Sequence, residues 1–246
     1  MDRNQTPVLS LRNVRVSYRR PSPLGRRSSY TALADVSFDL YHGESLAVIG
    51  RNGAGKSTLL KLLGGIIRPD AGQVLSSGAR AALLARQVGF DPELSGRDNI
   101  VLGALLLGFT RAEIMTQMDA VIAFAELGEH IDQPLGTYSL GMRARLGFAV
   151  SSRLQSDILL IDEALGVGDA AFQAKSTKLI EDRLRSDKTV VLVTHNTAAV
   201  RRLCNRAVWI EQGVTRMEGE VEEVLAAYMD AHRIKDPDKQ RQQADQ

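Results

Sequence analysis

The chain has 246 residues, 44% of them apolar, enough for one large domain or a core with a small subdomain. Its 31 basic and 29 acidic side chains leave a formal charge of only +2, which argues against a dedicated nucleic-acid binder, because such proteins concentrate excess positive charge. A single cysteine, Cys204, excludes an internal disulfide and fits a reducing compartment; it reads as a small buried hydrophobe on a helix.

The first ten residues lack the basic-then-apolar layout of a secretory signal. Val8 to Val16 reads as a strand, and the basic stretch Arg19 to Ser29, with its prolines and glycine, as a solvated loop. A second strand is expected from Asp35 to Leu40, followed by a turn at His42-Gly43-Glu44. Ser45 to Ile49 is continuously apolar after its serine, as in a central strand buried on both faces, and it runs into Gly50 and a helix over Lys56 to Leu63. The longest apolar stretch, Ile100 to Phe109, is about half of what a membrane-spanning helix needs, so any membrane role is expected through a partner.

From Phe90 to Arg153 the pattern turns helical. Thr110 and Glu113 form a capping box, which opens a helix with Ile114, Met118, Val121, Ile122 and Ala125 on one side and Gly128 placed to end it. Strands then return at Ile158 to Ile161 and Thr189 to Val193, with a helix over Phe172 to Leu184 between them. Val221 to His232 reads as an amphipathic helix, and Lys235 to Gln246 as a polar, disordered tail. The order implies a parallel α/β core interrupted by a helical insertion.

Gly50-Arg51-Asn52-Gly53-Ala54-Gly55-Lys56-Ser57, followed by Thr58, is a complete phosphate-binding loop. Dense phosphate charge is met by a ring of backbone N–H groups at a helix N-terminus, and the glycines let the backbone curl that closely. Lys56 then reaches the β- and γ-phosphates, and Ser57 offers a hydroxyl to Mg²⁺. Ile158 to Glu163 is an apolar run ending in two carboxylates. Asp162 is placed to hold Mg²⁺, and Glu163 to polarise the attacking water as general base. Ser139, before a helix read over Arg143 to Arg153, can cap it and turn its N-terminus toward a phosphate. His195 follows the Thr189–Val193 strand, at the carboxyl end where α/β sheets bind ligands, and is a candidate γ-phosphate contact.

Together these residues resemble an ABC transporter nucleotide-binding domain, over about residues 8 to 231. Walker A is Gly50 to Ser57, the signature Ser139 to Met142, Walker B Ile158 to Glu163, and the switch histidine His195. The segments Gly89 to Ile100, Tyr138 to Ala149 and Asp162 to Asp169 are similar to the ATPases that export O-antigen, capsule or teichoic acid. The resemblance implies an α/β fold of the ABC ATPase type: a P-loop NTPase (RecA-like) core over 1–88 and 154–231, with an N-terminal β-rich part. The helical subdomain would then be 89–153 and the tail 232–246. It further implies ATP with Mg²⁺, and a head-to-tail homodimer in which Ser139 and Gly141 meet the γ-phosphate held by the partner copy. Asp169 would belong to the loop coupling the two sites, and Tyr18 would stack on adenine. An integral-membrane permease would be the working partner, with no nucleic acid, and the chain would sit peripherally at the cytoplasmic face of the inner membrane.

Two positions depart from the family pattern. Gln87 lies near the glutamine that contacts Mg²⁺ and the membrane subunit in relatives, but with an offset, in a shortened segment. Leu140 stands where relatives usually have Gly or Ser, so it would either crowd the seam between two subunits or pack into the helical subdomain. No C-terminal glycan-binding domain of the larger exporters is expected. Export of another cargo, such as a drug or lipid, and a soluble ABC ATPase acting on ribosomes or DNA remain alternatives on the sequence.

Overall fold

The computed structural model describes residues 6–20, 28–84, 89–154, 156–162 and 169–233. Two compact units emerge: residues 1–79 with 184–246, and residues 80–183. The boundary therefore falls outside the 89–153 insertion read from the sequence.

The first unit holds β1 (Leu9–Arg20), β2 (Ser28–Leu40), β3 (Ser45–Ile49), α1 (Lys56–Leu63) and β4 (Ala71–Ser76). The second unit opens with β5 (Ala81–Leu84), then α2 (Gly96–Leu106), α3 (Arg111–Ala125), α4 (Leu140–Arg153), β6 (Ile158–Asp162) and α5 (Ala170–Leu184). The chain then returns to the first unit through β7 (Thr189–Val193), α6 (Thr197–Leu203), β8 (Arg206–Glu211), β9 (Val214–Gly219) and α7 (Val221–His232). The expected bounds of α1, β7 and α7 match.

In the first unit the strand order is β4-β1-β2-β9-β8-β3-β7. β3 lies parallel between β8 and β7, which explains its fully buried, continuous apolar run. Ala47, Ile49, Ala207 and Trp209 of β3 and β8 pack with Val200 of α6 and with Val221, Val224, Leu225 and Met229 of α7. Cys204 caps the end of α6 half-buried against this cluster, not inside the helix as expected, and burial pushes its thiol up to about 12.

β1 and β2 are antiparallel and far longer than the sequence suggested. Arg19 and Ser29, expected in a loop, are paired across them, as are Tyr18 and Tyr30. Cross-strand hydrogen bonding there overrides the turn-forming composition.

In the second unit β5 and β6 pair in parallel. Phe124 of α3, Phe148 of α4 and Phe172 of α5 form a three-ring cluster with centroids 5.6–5.9 Å apart. The Thr110–Glu113 capping box is present, and Arg80 pairs with Glu113 at 2.9 Å. Buried on α3 are Ile114, Met118, Val121, Phe124 and Ala125, so Phe124 takes the inward place expected of Ile122. The helix ends in a left-handed residue at Glu126 (φ 54°), ahead of Gly128.

Candidate functional site

The phosphate loop connects β3 to α1. Gly55 starts α1 at φ 104°, a conformation that L side chains rarely adopt, and a Cβ there would strike the Ala32 carbonyl and approach Leu33 Cδ2 at 2.8 Å. A Cβ on Gly50 would run into the Ile210 carbonyl. Both glycines are thus dictated by close backbone approach. No side chain caps α1, so its first-turn amides project toward the loop. Arg51, Asn52, Gly53 and Ser57 are exposed; Lys56 and Thr58 are half-buried. Lys56 Nζ donates to the carbonyls of Gly50 (2.6 Å) and Arg51 (3.0 Å), which holds the ammonium against the curled backbone.

The turn between β8 and β9 supports the loop. Gly213 N donates to the Ala54 carbonyl at 3.0 Å, while the Gly213 carbonyl accepts from Ala34 N (2.7 Å) and Asp35 N (3.1 Å). Nothing local in the Gln212-Gly213 turn announces this role; it follows from β9 pairing with β2.

Val48 is registered with Val193 on the parallel strand β7, so Gly50 and His195, each two residues further on, leave the sheet at the same edge. His195 is exposed there, just before Asn196 caps α6. Tyr18 and Tyr30 are cross-strand partners, 38% and 40% exposed. The Tyr30 hydroxyl donates to the Gly53 carbonyl at 3.4 Å, so the tyrosine hairpin reaches the loop. Tyr30 was missed on the sequence because it fell between the expected loop and the expected second strand.

The remaining candidates belong to the second unit. Asp162 closes β6, half-buried. Ser139 caps α4, its Oγ accepting from Met142 N at 3.2 Å, and the helix starts at Leu140, three residues earlier than expected. Leu140 is 77% exposed, which rules against the second of the two alternatives, packing of its side chain into the helical subdomain. A Cβ on Gly141 would touch, among the described residues, just the Ser139 hydroxyl, at 3.8 Å. Asp169 Oδ1 accepts from Phe172 N at 2.9 Å at the start of α5, and its carboxylate pairs with Arg145. The Phe172 amide first, then the Arg145 charge, hold that carboxyl below its usual range. Glu163 and Gln87 lie outside the described residues.

The ABC transporter family model matches residues 33–166. The chain is 46% identical over 213 residues to the O-antigen export system ATP-binding protein RfbB of Klebsiella pneumoniae, covering 87% of each. The chain belongs to the ABC transporter family. A second ABC relative, the teichoic acids export ATP-binding protein TagH of Listeria innocua, is 42% identical over 203 residues, covering 82% of this chain and 60% of TagH. A dimeric ATP-binding cassette in a post-hydrolysis state with ADP and Pi has the same fold, with a TM-score of 0.68 at 23% identity over 87% of this chain and 98% of that one. The chain is accordingly an ABC ATPase of α/β fold.

Proposed function

We propose that the chain is the ATP-hydrolysing subunit of an exporter that moves a cell-surface polysaccharide or lipid-linked glycan across the inner membrane. The observation that carries this reading is a pair of unlike helix starts in one chain. One is a backbone cradle with a lysine folded over it. The other is a serine-capped helix whose glycine, among the described residues, has just the Ser139 hydroxyl within van der Waals reach of a Cβ. Each is half of a nucleotide site, and two copies arranged head to tail supply two whole sites.

ATP phosphates fit the first half, where amides of α1, Lys56 and the curled backbone of Gly50, Asn52, Gly53, Ala54 and Gly55 form an anion receptor. Thr58 continues that first turn. Tyr18 stacks on adenine, and His195, at the shared strand edge, contacts the γ-phosphate. Ser139 and Gly141 complete the site held by the other copy, and Asp169 couples the two sites. Hard oxygen donors suit Mg²⁺: Ser57 and Asp162 would hold it, with Gln87 as a further ligand, and it would neutralise phosphate charge when bound. Glu163 takes the proton of the attacking water.

The cargo reading rests on the O-antigen and teichoic acid export relatives. A permease partner is supported by exposed Leu105, Leu106 and Met115 on α2 and α3, and no described helix is long and apolar enough to cross a membrane. The subunit works at the cytoplasmic face, attached through that permease.

Glu163→Gln tests the mechanism. Hydrolysis should fall roughly 100-fold or more while Mg-ATP binding persists, and an ATP-dependent dimer should appear on size exclusion. Near-normal turnover would remove Glu163 from the role of base. Deleting the gene tests the cargo: surface glycan should disappear while its lipid-linked precursor accumulates inside the cell. An intact surface glycan would overturn the export assignment.

A further inference from the structure

Asn99 is the most completely engaged buried polar side chain among the described residues, and nothing in the nucleotide chemistry uses it. It lies in the first turn of α2 with no exposed surface. Its Oδ1 accepts from Asp91 N at 2.8 Å. Its Nδ2 faces three carbonyls, those of Asp91 (2.9 Å), Leu94 (3.1 Å) and Ser95 (2.9 Å). One amide thus closes the whole 91–95 turn onto the helix start, assisted by the Asp91 carboxylate accepting from Glu93 N at 2.9 Å.

That turn is in turn zipped to the segment leading into Ser139, in which Leu135–Thr137 form a single 3-10 turn. Leu135 N donates to the Leu94 carbonyl (2.8 Å) and Gly136 N to the Pro92 carbonyl (2.8 Å). Gly96 N donates to the Gln133 carbonyl (3.2 Å), and Ser95 and Pro134 form an antiparallel bridge. The Leu94 carbonyl therefore serves Asn99 and Leu135 together. From the other side, Arg143 of α4 donates through Nη2 to the Gly136 carbonyl at 3.0 Å. The 134–137 turn that aims Ser139 is gripped between α4 and the Asn99-organised turn.

We infer that Asn99 is a positioning residue for the signature: it fixes the 91–95 turn, and through it the 134–137 turn and the orientation of Ser139 and its helix start. The inference rests on the reading of Ser139 as a contact to nucleotide held by the partner copy. Asn99 touches no nucleotide. Its loss leaves the Asp91 amide and carbonyl without the side chain that pairs them and takes one of two donors from the Leu94 and Ser95 carbonyls, which keep Leu135 N and Asn99 N, so the turn loosens at Asp91. The consequence appears where two copies meet and spares nucleotide binding by the single chain, since the cradle at α1 is built from a separate set of backbone contacts.

The test compares four variants of the full-length chain. Asn99→Ala should leave Mg-ATP affinity of the monomer within about twofold, yet weaken the ATP-trapped dimer formed in the Glu163→Gln background roughly tenfold or more, because orientation errors in a contact surface cost that much. Turnover at saturating ATP should fall with KM little changed, and amide exchange at Leu135 and Gly136 should accelerate. Gly136→Ala places a Cβ 3.2 Å from the Pro92 carbonyl and disturbs the same zip without touching the α2 core; it should show the same signature at smaller size. Ile100→Ala, a neighbouring fully buried apolar site, controls for general loosening of the helix. If Ile100→Ala, at equal loss of melting temperature, weakens the dimer as much as Asn99→Ala, the positioning role is overturned. Ser139→Ala separates the two readings. If it abolishes the trapped dimer while Asn99→Ala and Gly136→Ala do not, the clamp alone fails; if Ser139→Ala leaves the dimer intact, the underlying signature assignment fails.

Discussion

The helix starts at Gly55 and Ser139 both face phosphate in the proposed mechanism, yet they are constructed in opposite ways. At the first, the glycines are forced by the chain's own backbone, with Ala32 and Ile210 carbonyls where side chains would stand, and no side chain caps the helix. At the second, a serine caps the helix and the glycine has room for a side chain. The first start is shaped from within, by the chain's own backbone. Among the described residues nothing nearer than the Ser139 hydroxyl, at 3.8 Å, calls for a glycine at position 141, and the proposed mechanism supplies a reason in the nucleotide that approaches it. The α3 start is a third kind, with Thr110 and Glu113 capping each other in full. A helix N-terminus is a generic anion receptor, and which one is available depends on what already occupies its amides.

The sharpest way to break this comparison is a matched pair of glycine substitutions. Gly55→Ala should cost about 3 kcal/mol or more of unfolding free energy, from a positive φ and a backbone collision together. Gly141→Ala should change stability by less than about 1 kcal/mol, since alanine is the better helix former, while lowering hydrolysis. Urea titrations with an ATPase assay read both. A stable, fully active Gly55→Ala would refute the idea that the cradle is preset.

Lys56→Ala comes next. It removes the charge folded over Gly50 and Arg51, and should weaken Mg-ATP binding by about 2 kcal/mol, seen as a lost thermal shift. An unchanged shift would detach the cradle from nucleotide binding.

Leu140→Gly sharpens the second start. With the leucine 77% exposed there is no core packing to lose, so unfolding free energy should drop by no more than the helix-propensity cost, about 1 kcal/mol. Relief of crowding should raise ATPase rate or dimer lifetime. A large loss of stability with no gain in rate would contradict both.

The smallest effect is at α3. Arg80, the Thr110 amide and the Thr110 hydroxyl hold the Glu113 carboxyl at about 2, below its ordinary value of 4.5. A carboxylate with a depressed folded-state pKa adds stability above its unfolded value and loses it as pH falls through the folded one. Glu113→Gln should therefore be less stable than the parent at neutral pH, with the gap closing between about 4.5 and 2; the pair is exposed, so the effect is modest. A gap independent of pH would assign the stabilisation to shape and not charge.

Much of this arrangement was legible without coordinates. The capping box, the exact run of α1 from Lys56 to Leu63, and the buried strands Ser45–Ile49 and Thr189–Val193 all followed from local pattern. The phosphate loop could be placed between a strand and a helix for the same reason. Glycine positions, caps and apolar periodicity are properties of neighbours in sequence, and those are what local physics reads.

Other features required contacts between residues far apart. The extension of β1 and β2 through Arg19 and Ser29 depends on cross-strand pairing, and without it Tyr30 could not be seen to reach Gly53. The support of Ala54 by Gly213 spans most of the chain. Asn99 looks like an ordinary polar residue in a helical run until its amide is found facing three carbonyls of a folded turn. Sequence alone determined which segments could bind phosphate, because that chemistry is written in consecutive residues. Tertiary structure decided that Gly50 and Gly55 are compulsory, that Leu140 is exposed and that the Asn99 amide ties together the 91–95 turn. These depend on register and close approach, which only hydrogen bonds between remote strands and turns can set.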